Sequence, residues 1–289
     1  MEKKICIITG ANSGIGKQAA IQIASAGAHV IIACRSEDRG RKALADINTS
    51  ITGGSVELMM VDMSSLASVR CFAQKVNDRF PRVDVLIHNA ADFDISRKQA
   101  LFSPEGIETV WATNHVSPVL LTELLVDALK KSKDGRVITI SSKGLLIKPG
   151  IKVSLDDPEF MKRKYSVSNA YYQSKRAQEM YTVWLSRQLI GTSITANCIR
   201  VTNVKIDINR YPGLSALSRY VYALKSKASI SPDQMAHTYA YLALSDAVKG
   251  ISGQCFDEKN QKVTMNSYTI DPVTTEGVMK LTFQYIVQR

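Results

Sequence analysis

The sequence predicts an α/β fold, a doubly wound parallel sheet with helices on both faces, and three observations predict it. Short β-branched apolar runs alternate with longer segments whose apolar residues recur at helical spacing. The first such run leads into a glycine-rich turn, not into a hairpin. The residues best suited to chemistry fall just after the strands, where ligands bind in sheets of this kind. The 289 residues can bury one sizeable core, and with no repeat or low-complexity linker, residues 1–289 are expected to form a single domain.

Residues 5–8 form the first predicted strand, followed by Thr9-Gly10-Ala11-Asn12-Ser13-Gly14-Ile15-Gly16, a helix over residues 18–26 and a second strand over residues 29–34. This βαβ unit has the setting of a Rossmann-type nucleotide site. Gly10, Gly14 and Gly16 let the backbone approach a pyrophosphate. Asn12, Ser13 and Ile15 stand between them, and the helix starting near Gly14 offers free N–H groups and its positive dipole end. The spacing is T-G-x-x-x-G-x-G, neither G-x-G-x-x-G nor the P-loop pattern.

The second strand ends at Cys34-Arg35-Ser36, with no acid at Cys34 to hold a ribose 2′-hydroxyl. Arg35 supplies a guanidinium suited to a 2′-phosphate, which predicts NADP(H) over NAD(H). Its other reading is a surface turn, with Glu37 and Asp38 beside it. A third strand over residues 56–61 ends at Asp62, which either meets an adenine amino group or caps the helix of residues 65–79. Residues 83–87 are the fourth strand and run into His88-Asn89-Ala90-Ala91. Ser103-Pro104 is expected to open the next helix, as cap and first-turn proline. The fifth strand, residues 136–140, ends at Ser141-Ser142; a long helix covers residues 169–187 and a sixth strand residues 194–199. Ser231-Pro232-Asp233-Gln234 combines a capping box with a first-turn proline. A short strand over residues 253–256 and a helix opened by Asp271-Pro272 complete the chain.

Net charge is +11, but the basic residues are dispersed, with short clusters such as Lys162-Arg163-Lys164 read as solvated. That pattern fits a solvated surface and an anionic small ligand, not nucleic acid. Cys6, Cys34, Cys71, Cys198 and Cys255 stand singly, without metal-site or disulfide spacing, so a reducing cytoplasm is expected. No apolar run approaches the roughly 18 residues of a membrane-spanning helix. Met1-Glu2-Lys3-Lys4 leads straight into the first predicted strand, so no signal peptide is expected.

Within the long helix, Tyr171 and Lys175 are four apart and share one face. A phenol with a free pKa of about 10 is a poor acid near neutrality. An ammonium one turn away favours the phenolate and brings that pKa toward the working range. Alone, such a pair is more often a surface feature of an amphipathic helix.

The ordered set Thr9-Gly10-x-x-x-Gly14-x-Gly16, Asp62, Asn89-Ala90, Asn114, Ser142 and Tyr171-x-x-x-Lys175 resembles the short-chain dehydrogenase/reductase family over nearly the whole chain. Ile32-Ala33-Cys34-Arg35, Thr113-Asn114-His115 and Tyr165-Ser166 before Ala170-Tyr171-x-Gln173-Ser174-Lys175 resemble its retinol dehydrogenase-like branch. The resemblance implies that Tyr171 is the acid–base and that Ser142 hydrogen-bonds the substrate oxygen. Lys175 then lowers the tyrosine pKa and binds the nicotinamide ribose, and Asn114 holds a relay water. Of Ser141 and Ser142 the second matches better, the alternative being that Ser141 points into the site. Departures stand at Ala91 for the usual glycine, at Ser117-Pro118, at Val201-Thr202 for Pro-Gly and at Ile206 for threonine.

The resulting expectation is an NADP(H)-dependent oxidoreductase that interconverts a small hydrophobic aldehyde or ketone and its alcohol. The alternative is a nucleotide-binding regulatory or scaffold protein with little turnover. Residues 205–230 are expected to form a substrate lid, because Leu214, Leu217, Tyr220, Val221 and Leu224 follow a helical stripe among Arg219, Lys225 and Lys227. Peripheral membrane contact by that stripe ranks behind the lid. The resemblance also implies a homo-oligomer.

Overall fold

The computed structural model describes residues 3–205 and 229–288. Eight strands form one sheet in the order β3-β2-β1-β4-β5-β6-β7-β8. They are β1 Ile5–Thr9, β2 His29–Cys34, β3 Ser55–Met60, β4 Val85–His88, β5 Gly135–Ser142, β6 Ile194–Val201, β7 Cys255–Phe256 and β8 Lys262–Val263. All pairings are parallel except β7 with β8. The two-residue β8 leaves no period for a sequence pattern to show, so it was not expected.

Side chains alternate across the strands, and both faces are dry. In β1, Ile7 joins the core beneath α3 (Leu66–Arg79), α5 (Ser117–Lys130), α6 (Val167–Gln188) and α9 (Pro272–Gln288). Cys6 and Ile8 face the opposite core, with α1 (Gly14–Ser25), α2 (Glu37–Asn48) and α7 (Pro232–Leu244). Burial on both faces explains why the strands read as near-continuous apolar runs. The strand order reverses between β1 and β4, and that crevice is where an open α/β sheet takes its ligand.

Caps set the helix ends. Ser166 accepts from the Asn169 amide and starts α6 two residues before the expected position. Ser231 and Gln234 complete the predicted capping box of α7. Ser103-Pro104, expected to open a helix, forms a turn instead. Ser103 Oγ accepts from the amides of Glu105 and Ile107, both at 3.2 Å. Gly106 then takes φ +71, a left-handed conformation that stops a helix from growing out of that turn. The helix α4 (Thr109–Trp111) begins three residues later, capped by Glu108. Asp62 caps no helix: Ser65 caps α3, while Asp62 Oδ1 closes a turn with the amide and hydroxyl of Ser64 at 2.9 and 2.7 Å.

The expected solvated cluster 162–164 is exposed throughout, and Arg163, its side chain 42% exposed, also takes partners in the fold. Its guanidinium Nε lies 3.0 Å from the buried Asp157 carboxylate and stacks 4.3 Å over Phe160. Residues 206–228 of the expected lid, Ile206 included, lie outside the described residues. On either side of them, Val204 and Ile230 pair in an isolated parallel bridge. Among the described residues no helix is long and apolar enough to cross a membrane.

Candidate active site

The glycine turn packs at the carboxyl end of β1. Gly10 has φ +67, and a Cβ there would lie 2.8 Å from the Ala90 Cα. A Cβ on Gly16 would meet Asn89 Nδ2 at 2.4 Å, so both positions are closed to any side chain. At Gly14, φ is +57 and nothing lies within 4 Å of a Cβ, so that side of the turn is open. Ser13 stands at the N-cap of α1 with extended backbone but makes no side-chain cap bond, and the first turn carries no acid. Asn12, Ser13, Gly14 and Ile15 thus surround an uncapped helix N-terminus facing open space. A diphosphate fits such a place, taking the unpaired amides and the positive end of the dipole.

Asn89 locks this turn from below. Its Nδ2 donates to Thr9 O at 2.9 Å and to Gly10 O at 3.3 Å. Its Oδ1 accepts from the Tyr239 hydroxyl at 3.2 Å. Thr9 Oγ1 adds a third tie by accepting from the Ala90 amide at 3.0 Å. At the end of β2, Arg35 and Asp62 stand 3.9 Å apart, with the arginine side chain 67% exposed. So loose and solvated a pair is worth little, and the guanidinium is available to an anion.

Lys175 is 2% exposed and donates from Nζ to Ile140 O at 2.9 Å. Burial pushes its ammonium down to about 8. Nζ lies 5.6 Å from the centroid of the Tyr171 ring, which places the cation beside the phenol as the four-residue spacing predicts. Phe93 stacks on Tyr171 at 4.1 Å, and Tyr172 meets it edge-on at 5.3 Å. Tyr172 in turn needs Gly144, where a Cβ would lie 2.4 Å from its hydroxyl.

The two serines ending β5 separate. Ser141 turns into the core and donates to Glu179 Oε1 at 2.7 Å, in a buried group with Arg176 and Arg200. Ser142 points the other way, partly exposed, and accepts from the Gly144 amide at 3.2 Å. Opposite Ser142 in the ladder is Val201, the last residue of β6.

Asn114 lies in a π-helical turn, Ala112–Val116, between α4 and α5. Such turns insert one residue into a helix and re-aim its side chains. Asn114 Oδ1 accepts from the Asp92 amide at 2.7 Å, while Nδ2 donates to Asp92 O at 3.1 Å and Ser174 Oγ at 3.0 Å. Ser174 Oγ donates to the Tyr171 carbonyl at 2.7 Å. Asp92 itself is held by Arg97 through two bonds of 2.7 and 2.9 Å.

The fold therefore joins Asn114 to the Tyr171 carbonyl through Ser174, holds Lys175 beside the Tyr171 ring, sets Ser142 at the end of the strand that Lys175 grips, and seats the glycine turn on Asn89. Arg35 and Asp62 form a separate pair at the next strand ends. Asp92, Phe93, Ser174 and Tyr239 also belong to the site's frame. Ser174 stands inside the Tyr171–Lys175 motif, but no motif marks Asp92, Phe93 or Tyr239, because each acts through a contact distant in sequence.

A family model described as short chain dehydrogenase matches residues 4–151. The chain is 35% identical to retinol dehydrogenase 13 of Homo sapiens, over 90% of this chain and 77% of that protein. It is 34% identical to retinol dehydrogenase 14 of Mus musculus, over 89% of this chain and 78% of that protein. An uncharacterised protein from Mycobacterium paratuberculosis superposes with TM-score 0.73 at 26% identity, covering 98% of this chain and 93% of that one. A short chain dehydrogenase from Escherichia coli, crystallised with NADPH, shares the fold at TM-score 0.67 and 22% identity, over 90% of this chain and 98% of that one.

Proposed function

The chain belongs to the short-chain dehydrogenase family, in its retinol dehydrogenase-like branch, and from that premise we propose an NADP(H)-dependent interconversion of hydrophobic carbonyl compounds and their alcohols. The observation that carries the proposal is Lys175, a buried ammonium held against Ile140 O beside the Tyr171 ring. A buried cation is costly, and here it sits one helical turn from a phenol that acid–base chemistry requires.

The residues fit a dinucleotide. Gly10, Asn12, Ser13, Gly14, Ile15 and Gly16 would hold its pyrophosphate, Arg35 a 2′-phosphate and Asp62 the adenine, with Asn89 bracing the turn. When bound, the nicotinamide supplies or accepts hydride. The protein's part is the proton and the orientation. Tyr171 donates a proton to the carbonyl oxygen during reduction, and Ser142 hydrogen-bonds that oxygen to fix its approach. The Lys175 ammonium favours the phenolate that remains, and Asn114 orders the proton supply behind it. Phe93 and Tyr172 surround Tyr171 with aromatic surface, which supports an apolar substrate; retinol is the alcohol that its relatives' names give.

The test is NADPH consumption across a panel of aldehydes and ketones, retinal included, with Tyr171→Phe beside the native protein. Removing the general acid should lower turnover by at least about 100-fold and leave NADPH affinity nearly unchanged. Retained activity in the variant would refute the role of Tyr171. NADPH binding without turnover on any substrate would favour a nucleotide-binding regulatory protein.

A further inference from the structure

We propose that Tyr239 is a positioning residue for the nucleotide site: its hydroxyl sets the orientation of the Asn89 carboxamide, and through it the shape of the glycine turn. The proposal rests on the nucleotide-binding reading given above. A primary amide is nearly symmetric in shape, so only its partners choose which end is oxygen and which is nitrogen. Around Asn89 two of those partners are carbonyl oxygens, Thr9 O and Gly10 O, and they require the nitrogen end. The Tyr239 hydroxyl meets the other end and donates to Oδ1. A flipped amide would press its oxygen against two carbonyls.

The space around the amide is shaped for this arrangement. Gly16 leaves room for Nδ2 where any Cβ would stand 2.4 Å away. Tyr239 is fully buried in the same apolar core as Ile8 and Ala11, so no water competes for its hydroxyl. Removing that hydroxyl leaves Oδ1 without its protein donor, and the amide loses one of the three contacts that fix its orientation. The Thr9 and Gly10 carbonyls then lose a fixed donor just where Gly10 turns to φ +67 and delivers the chain to α1. Helix α7, which carries Tyr239, also holds α1 from its own N-terminus: Gln22 Nε2 donates to Asp233 O at 3.0 Å and to its carboxylate at 2.9 Å. One helix thus grips the pyrophosphate-facing helix and braces the turn that precedes it.

The experiment compares the native protein, Tyr239→Phe, Asn89→Ala and the double variant, titrating NADPH and NADH by calorimetry and following amide hydrogen exchange over residues 9–16. Tyr239→Phe should weaken both nucleotides by about tenfold, the loss of one buried hydrogen bond, because the turn faces the pyrophosphate that both share. It should speed exchange over residues 10–16, where the turn loses its brace. Adding Tyr239→Phe to Asn89→Ala should change nothing further, because Tyr239 acts through Asn89. If Asn89→Ala does not fold, Asn89→Ser takes its place in the cycle. Unchanged affinity together with unchanged exchange would overturn the proposal, and so would losses that multiply in the double variant. Should the native protein bind neither nucleotide, the nucleotide reading fails, while exchange over residues 10–16 still decides what Tyr239 does.

Discussion

Lys175 illustrates how one side chain's placement governs chemistry. Its stem carries the ammonium into a dry site, and burial lowers its pKa from 10.5 to about 8. The ammonium is therefore present below pH 8 and lost as pH rises through it. A reduction that draws its proton through Tyr171 needs the charged form. The kcat/KM for carbonyl reduction, which reports the free enzyme, should fall above about pH 8. A profile flat from pH 7 to pH 10 would remove Lys175 from the proton path. Arg35 makes a different demand, because among the described residues its exposed guanidinium is paired only with Asp62, at 3.9 Å. Arg35→Glu should weaken NADPH at least about tenfold more than NADH, through lost attraction and added repulsion toward a 2′-phosphate. Equal losses in nucleotide titrations would sink that role. The Tyr171–Lys175 pair was legible in the sequence because helical periodicity fixes where a residue four positions on must point. Ser141 and Ser142 were separated by family resemblance alone, since alternation on a strand says that two neighbours diverge and not which one faces inward.

Among the elements, those defined by local backbone chemistry followed the sequence closely. The capping box at Ser231 and Gln234 needs only four residues, and it stands where the spacing put it. Ser231→Ala removes an acceptor from the Gln234 amide and should destabilise the protein by about 1 kcal/mol. Urea unfolding checks this, and an unchanged midpoint would mean that tertiary packing alone holds the start of α7. Ser103-Pro104 shows the limit of such reasoning. A serine and a proline suit a helix start and a tight turn equally well, and Gly106 settled the matter two residues later. The π-helical turn at Asn114 had no signature, because one inserted residue is a compromise between neighbouring elements. The clamp of Arg163 on Asp157 was hidden for a related reason: a basic triplet reads as solvent-facing unless its partner is known.

Across the whole molecule, two neutral histidines tie elements together, one joining the sheet to a helix and the other joining two helical segments on one face. His88 in β4 bonds Thr122 of α5, and His115 beside Asn114 bonds Thr282 of α9, each at 2.8 Å. Thr282 gives its own proton to Val278 O, so it accepts from His115, which must carry its proton on Nε2. Burial lowers both imidazoles to about 3, against 6.5 when unfolded. The unfolded chain therefore binds more protons between those values, and stability falls as pH drops. This contribution is fully present above about pH 6.5 and lost progressively toward pH 3. The thermal midpoint should decline from pH 7 to pH 4, with a shallower decline in His115→Gln. Identical slopes in native and variant protein would show that His115 is not among the groups responsible.

The sequence by itself determined the alternation of strands and helices, the glycine turn at the first crossover and the facing of Tyr171 with Lys175. Each of these rests on periodicity or backbone conformation within a few residues, which the chain carries wherever it goes. Only the tertiary structure decided that Ser142 and not Ser141 is turned out of the core, that Asp62 closes a turn, and that Asn114 reaches Ser174. It alone set Tyr239 beneath Asn89, 150 residues away in the chain. The physical reason is that a buried polar atom must find a partner wherever packing places it, and packing joins positions that no local pattern can pair.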